Sequence, residues 1–263
     1  MRTLLITFWL AACSLSYGQG FGQSIAFRAA ASVRAPSVAA TTNQLAWWKL
    51  WGNATDSGPN GYNGTLIGSP SFGSGPDGFG DHALALASNQ SMVASNTTAV
   101  ANGLSSFTVM CWVFMGESTS TSRAIMCKVN ATGVGNTGIG WAIRTGSSIA
   151  STSDRIGAYI LDGTNREGYY TSASKVTIWT HVALAVSGST ATVYINGSAS
   201  GTTHDASGTV GSTSNTSNIM IGQSPAGEFF GSATSSLVSS ARIYNYVLSS
   251  AAILAIFTSE NGS

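Results

Sequence analysis

The sequence predicts an all-β fold, a single antiparallel sandwich of two sheets that follows an N-terminal leader and arm. Its 263 residues are 43% hydrophobic and 10% aromatic, which is enough to build a substantial packed core. Short runs with period-two alternation recur along the chain between clusters of Gly, Ser and Asn. Because charged residues make up only 8% of the chain, Ser, Thr, Asn, Gln and Gly must cover most of the surface.

The clearest element is a β-hairpin at Trp179–Gly197. Val182, Leu184 and Val186 occupy every second position, which predicts a strand with one apolar face against a core. The polar stretch Ser187–Thr190 then predicts a short turn, and a β-branched and aromatic run resumes before a closing Asn-Gly pair. We therefore expect this hairpin to be central to the fold.

Residues 1–20 have the pattern of an export signal. Arg2 supplies the positive charge and Thr3–Ala12 an apolar run that is too short to be a spanning helix. An alternative interpretation is a lipoprotein signal, in which Cys13 is lipidated and becomes the mature N-terminus. Residues 21–43 are Ala-rich without a sustained period, which indicates a spacer or an arm.

The domain begins with the aromatic run Leu45–Trp51, which predicts a strand, and continues into a dense turn cluster at residues 52–65. Phe107–Met115 is apolar on both faces, so we expect it to be a central strand that is covered on each side. Large aromatic residues of such strands belong in the core, and Trp112 and Trp179 are therefore predicted to be largely buried.

The end of the chain predicts one more strand and a short helix. Ser240–Ser249 is a β-patterned run, and Ser249 is placed to cap a last helical turn that continues through Phe257.

Four of these blocks together resemble laminin G-like (LamG) domains. They are the DSGPNGYNG turn at Asp56–Gly64, the FTVMCWV strand at Phe107–Val113, the WTHVALAV and VYING strands of the hairpin, and ARIYNYVLS at Ala241–Ser249. The resemblance implies a concanavalin A-like jelly roll over residues 44–258, with residues 259–263 as a C-terminal tail.

The same resemblance implies a calcium site, because LamG domains frequently carry one. Asp56, Asn60 and Asn63 in the turn cluster offer the oxygen ligands that calcium prefers. The position that matches a late Asp of the family is Ser239 here, so one anionic ligand is missing. The alternative is that the three side chains satisfy the turn backbone.

Two cysteines follow the leader, and the sequence leaves their state open. In an exported chain Cys111 and Cys127 could form a disulfide. They could equally be two small buried core residues, since cysteine is among the most buried residue types.

The acidic residues argue against an enzyme. Glucanases of this architecture use a close pair of carboxyl groups on one strand, in an E-x-D-x-x-E pattern. None of the four glutamates, Glu117, Glu167, Glu228 and Glu260, has an Asp two positions later, and hydrolase signatures are missing. His181 is interpreted as a hydrogen-bonded structural residue, and we expect no catalytic activity.

Three aromatic residues beside polar loops, Trp141, Tyr169 and Tyr170, are candidates for a sugar-binding platform, although packing in the core is the alternative role for each. Lys and Arg number 11 against 10 acidic residues, which gives no electrostatic signature for nucleic acid or anionic lipid.

The function that fits these features is a non-catalytic binding or adhesion module, secreted or at the cell surface, that recognises a glycan or a protein surface. The alternative is a structural subunit of a virion, sheath or extracellular filament, in which the arm at residues 21–43 docks on a neighbouring copy.

Overall fold

A computed structural model describes the chain over residues 43–103, 105–118, 122–130, 138–146, 154–171, 175–200, 203–204, 208–231 and 236–261. All of these lie within one compact unit, Ala35–Ser263. The predicted leader, the lipidation site Cys13 and all but the last residue of the arm fall outside the described residues.

The described residues form strands and one helix, in the order β1 (Gln44–Trp48), β2 (Gly64–Ile67), β3 (Ser71–Gly73), β4 (Ala83–Leu86), β5 (Ser91–Ala94), β6 (Phe107–Phe114), β7 (Arg123–Val129), β8 (Ile139–Thr145), β9 (Ile156–Asp162), β10 (Arg166–Tyr170), β11 (Thr180–Ser187), β12 (Thr190–Ile195), β13 (Ser198–Ala199), β14 (Thr203–His204), β15 (Ile219–Ile221), β16 (Ser236–Tyr244) and α1 (Ser250–Glu260).

The strands make two antiparallel sheets, which confirms the predicted jelly-roll sandwich. Sheet A has the order β13-β12-β11-β6-β16-β4-β3, with β1 also paired to β16. Sheet B has the order β14-β10-β9-β8-β7-β15-β5-β2. The main hydrophobic core lies between them and includes Trp48, Val109, Ile143, Leu184 and Ile243.

The hairpin predicted at Trp179–Gly197 is present as β11 and β12, with Gly188 at a φ of 61° in the turn. The expectation of one apolar face was incomplete, because both faces of β11 are buried. Val182 and Leu184 point into the main core, whereas Ala183 belongs to a second cluster beneath α1.

Helix α1 covers the outer face of sheet A. Ser249 caps it as predicted, accepting a hydrogen bond from the Ala252 N–H at 3.2 Å. The helix continues to Glu260 and not only to Phe257, so residues 259 and 260 belong to the domain and not to a tail. The Glu260 carboxylate accepts hydrogen bonds from the Trp112 indole N–H at 3.0 Å and from the Arg242 guanidinium. These contacts fix the end of the helix on the sheet.

The two tryptophans that were predicted to be largely buried differ in their exposure to solvent. Trp112 is 1% exposed, between sheet A and α1, as predicted. The prediction for Trp179 was wrong, because it is only half-buried, beside Phe114 with ring centroids 5.6 Å apart. Trp179 immediately precedes the first residue of β11 and so lies outside the paired strand.

The two described cysteines are unpaired, which contradicts the disulfide interpretation. Cys111 lies in the core between the sheets, and Cys127 lies on the opposite side of sheet B. A sheet therefore separates the two thiols. Burial raises the pKa of both, and nearby Glu228 raises that of Cys127 further.

We expect both buried thiols to resist alkylation in the folded protein, because they are inaccessible and remain protonated. In a variant with Cys13 replaced by Ser, iodoacetamide should add no mass under native conditions and should label two thiols in guanidinium chloride. Absence of labelling in denaturant without reductant would instead indicate a disulfide.

Within the described part of the chain, no helix has the length and apolar character needed to cross a membrane.

Candidate functional site

The turn cluster that follows β1 was the predicted calcium site. The Asp56 carboxylate accepts hydrogen bonds from the backbone N–H groups of Trp47 at 2.8 Å, Gly58 at 2.7 Å and Tyr62 at 2.9 Å. A carboxylate that is surrounded by N–H donors has its charge already compensated, and those donors would repel a cation.

The two asparagines of this cluster also serve the backbone. The Asn63 side-chain oxygen accepts from the Asp56 N–H at 3.0 Å, and the Asn60 amide donates to the Leu45 carbonyl at 2.8 Å. In the described ranges, no group of three or more His, Cys, Asp or Glu is placed to hold a metal ion. The residues therefore do not fit calcium, and they close the turn onto β1.

Trp141 does not lie on a binding surface. It is 1% exposed, and its indole N–H donates to the Ala101 carbonyl at 2.9 Å. The residue belongs to the main core, which contradicts its assignment to a sugar platform.

Tyr170 is also buried, on the side of sheet B that faces away from the main core. Its hydroxyl accepts from the Arg144 guanidinium at 2.7 Å, and its ring lies over Gly157. A Cβ at position 157 would come within 2.3 Å of that ring, so only glycine leaves room for it. Tyr170 is thus a structural residue, and its assignment to the platform was wrong.

Tyr169, the third candidate, lines an open cleft. The cleft lies between β10 of sheet B and β12 of sheet A, where the edges of the two sheets meet, and has a volume of about 190 Å³. It is bounded by Tyr169, Thr190, Ala191, Thr192, Val193, Ala199 and Ser200. Tyr169 packs against the core and is partly exposed.

The lining of this cleft is uncharged. The lining includes the aromatic residue Tyr169 and three residues with hydroxyl side chains, Thr190, Thr192 and Ser200. The two threonines are exposed and alternate with buried Ala191 and Val193, so they face away from the core. Such a set provides a flat apolar surface and hydrogen-bonding groups without an ion. Thr190 and Thr192 were not predicted as binding residues from the sequence, although the alternation in the hairpin indicates that their side chains face away from the core.

The glutamates of the described residues have structural contacts. Glu117 pairs with Arg123 at 2.8 Å, Glu228 accepts from the Ser224 hydroxyl at 2.7 Å, and Glu260 fixes the end of α1. Each carboxylate holds local structure and none lines the cleft.

His181 is structural, but its ring is not hydrogen-bonded as predicted. The ring is buried, packs edge-on against Trp112 with centroids 5.3 Å apart, and has no hydrogen-bond partner among the described residues. Burial and, to a lesser extent, nearby Arg242 together lower its pKa from 6.5 to about 3. The imidazole is therefore neutral at physiological pH and cannot reach a substrate.

Comparison with known families gives a match over much of the chain. A laminin G family model, described as concanavalin A-like lectin/glucanases superfamily, matches residues 86–254, more than half of the chain. No curated protein matches the sequence.

Solved structures with a similar fold include toxin and enzyme domains. The binding domain of Paraclostridial Mosquitocidal Protein 1 is 16% identical with a TM-score of 0.63, covering 83% of this chain and 52% of that one. A structure of botulinum neurotoxin type C, whose cell entry depends on two ganglioside molecules, is 14% identical with a TM-score of 0.60, covering 83% and 52%. This chain thus spans about half the length of those toxin domains.

Domain 4 of the GH43 extracellular arabinanase AbnA from Geobacillus stearothermophilus, solved with arabinotriose, is 17% identical with a TM-score of 0.58. The similarity covers 81% of this chain and 97% of that domain. At these identities the similarity shows the fold alone.

Proposed function

Because this chain belongs to the concanavalin A-like lectin/glucanases superfamily, we propose that it is a non-catalytic module that binds a neutral glycan in the cleft beside Tyr169. The observation that carries this proposal is the lining of the cleft, which combines one partly exposed aromatic residue with three hydroxyl-bearing residues and no charged residue. An aromatic face stacks on the C–H groups of a sugar ring, and hydroxyls exchange hydrogen bonds with its polar edge.

The neighbouring structures support the choice of ligand. A domain of the same fold was solved with arabinotriose, a neutral oligosaccharide. A cleft of about 190 Å³ is small for a large ligand, and its open edge suits one or two sugar units of a longer chain.

The absence of catalysis is part of the proposal. Hydrolysis with retention needs two carboxyl groups about 5 Å apart beside the scissile bond. No carboxylate lines the cleft, and Glu117, Glu228 and Glu260 are occupied elsewhere. Binding without turnover is therefore the chemistry that the cleft supports.

We place this module outside the cell, secreted or at the cell surface, on the strength of the export pattern in residues 1–20 and a surface rich in hydroxyl and amide groups. The alternative of a structural subunit depends on the arm at residues 21–43, which lies almost wholly outside the described residues.

Replacement of Tyr169 by alanine should weaken glycan binding at least about tenfold, because an aromatic anchor at the centre of a site contributes more than about 1.4 kcal/mol. The measurement is isothermal titration with arabinan, xylan and β-glucan oligosaccharides. Tyr169→Phe should retain binding, since it keeps the ring.

Ile67→Ala is the matched control, because Ile67 is 42% exposed and lies on β2, at the opposite edge of sheet B from β10. Equal binding by the Tyr169→Ala and Ile67→Ala variants would overturn the assignment of the cleft. Release of reducing sugar by purified wild-type protein would overturn the non-catalytic part.

A further inference from the structure

A row of alternating cationic and aromatic side chains runs across the outer face of sheet A, near β1. The Arg242 guanidinium lies 4.0 Å from the centre of the Trp47 ring. The Lys49 ammonium lies 4.6 Å from the centre of Trp47 and 5.1 Å from that of Trp51. Trp51 in turn stacks on His82 with ring centroids 4.1 Å apart and an interplanar angle of 7°. We call these five residues the cation–aromatic row.

One end of the row is buried and the other is open to solvent. Arg242 is 2% exposed beneath α1, whereas Trp51 is 37% exposed. Phe79, which is 65% exposed, lies next to His82 with ring centroids 5.5 Å apart and extends the open end. Two large aromatic side chains are thus presented together on one part of the surface, held from below by packed neighbours.

Within the described part of the chain, Arg242 and His82 each have a carboxylate beside them, whereas Lys49 does not. Arg242 pairs with Glu260, and the His82 ring lies 2.8 Å from the Asp77 carboxylate. No carboxylate among the described residues lies within ion-pair distance of the Lys49 ammonium. Its described partners are the two indole rings, which attract a cation but leave its charge uncompensated.

The backbone that presents the open end is strained. Leu50, between Lys49 and Trp51, has a φ of 62°, and Asp81, beside His82, has a φ of 59°. A residue other than glycine rarely adopts this backbone conformation unless its surroundings hold it there. Leu50 is 1% exposed, so its packing holds the strained conformation.

We infer that the open end of the cation–aromatic row is a second binding site, which takes an acidic sugar. One sugar unit packs against the exposed edge of Trp51, whose ring lies between Lys49 and His82, and its carboxylate forms an ion pair with Lys49. A neighbouring unit of the same glycan packs on the exposed ring of Phe79. This site is separate from the cleft and does not depend on the function proposed for it. In sheet A, β11 and β6 lie between β12, which lines the cleft, and β16, which pairs with β1. An anionic lipid surface fits less well, since membrane-binding patches use clusters of several Lys and Arg.

The test measures binding of three acidic probes to the full chain by titration: oligogalacturonate, hyaluronan oligosaccharide and sialyllactose. At least one should bind, and its affinity should fall with added salt. Trp51→Ala and Lys49→Met should each reduce that affinity by about tenfold or more. Lys49→Met keeps the aliphatic stem and removes only the charge. If oligogalacturonate is the probe that binds, its methyl-esterified form, which has the same ring without the charge, should bind much more weakly.

Ile67→Ala is again the control, and it should bind the acidic probe as the wild type does. Tyr169→Ala should still bind the acidic probe, whereas its affinity for neutral glycan should fall. The two measurements therefore test the glycan site in the cleft and the acidic-sugar site separately. Failure of all three acidic probes to bind would overturn the inference, as would unchanged affinity in both row variants. Association with phosphatidylserine vesicles through Trp51, without sugar binding, would identify a lipid site instead.

Discussion

Replacement of Trp112 by alanine should lower the free energy of unfolding by about 3–5 kcal/mol, the usual cost of truncating a large buried aromatic residue. Trp112 is 1% exposed and packs on Phe257 of α1 with ring centroids 5.4 Å apart. Its indole N–H also donates to Glu260, so the variant loses a contact that fixes the helix on sheet A. Urea unfolding followed by tryptophan fluorescence and circular dichroism measures the change.

Ile178→Ala is a suitable comparison for this variant, because Ile178 is 53% exposed and truncating it should change the stability by less than about 0.5 kcal/mol. The loss of stability in Trp179→Ala should lie between the losses in these two variants, since Trp179 is only half-buried. If Trp112→Ala were no less stable than Ile178→Ala, the result would contradict the packing of α1 against sheet A described above.

The second large effect is a loss of stability in acid caused by His181. Its pKa is lowered from 6.5 to about 3 in the folded protein, mainly by burial and then by Arg242. In the unfolded chain the imidazole takes up a proton below about pH 6.5, whereas the folded protein does not. Protonation therefore favours the unfolded state, and its contribution should reach about 2 kcal/mol at pH 5 and grow until the pH approaches the folded pKa.

Unfolding free energies at pH 7, 6, 5 and 4 test this expectation, with His181→Leu as the variant that removes the titrating group. Leucine fills much of the same volume and has no polar atom to leave unsatisfied next to Trp112. The wild type should lose stability more steeply than the variant below pH 6.5. Parallel curves for the two proteins would show that His181 is already protonated or exposed in the folded state.

Elements with strong local patterns were predictable from the sequence. The β11–β12 hairpin, the doubly covered strand β6 and the Ser249 cap all depend on neighbouring residues, either through period-two alternation or through a side chain that reaches the backbone three positions on. The calcium site, by contrast, was inferred from residue types alone. The backbone N–H groups that compensate the charge of Asp56 come from β1 as well as from the turn. A short sequence motif does not show that these groups meet at one carboxylate.

The sequence by itself determined the class of fold, because the order of strands and turns is written in local alternation and turn residues. Only the tertiary structure decided which aromatic residues face a ligand. Tyr169 and Tyr170 are neighbours with the same chemistry, yet one lines the cleft and the other lies under Arg144. Exposure depends on what covers a side chain, and the covering residues come from strands and a helix that are distant in the chain. For that physical reason Trp51 remains partly exposed to solvent, whereas Trp112 is buried.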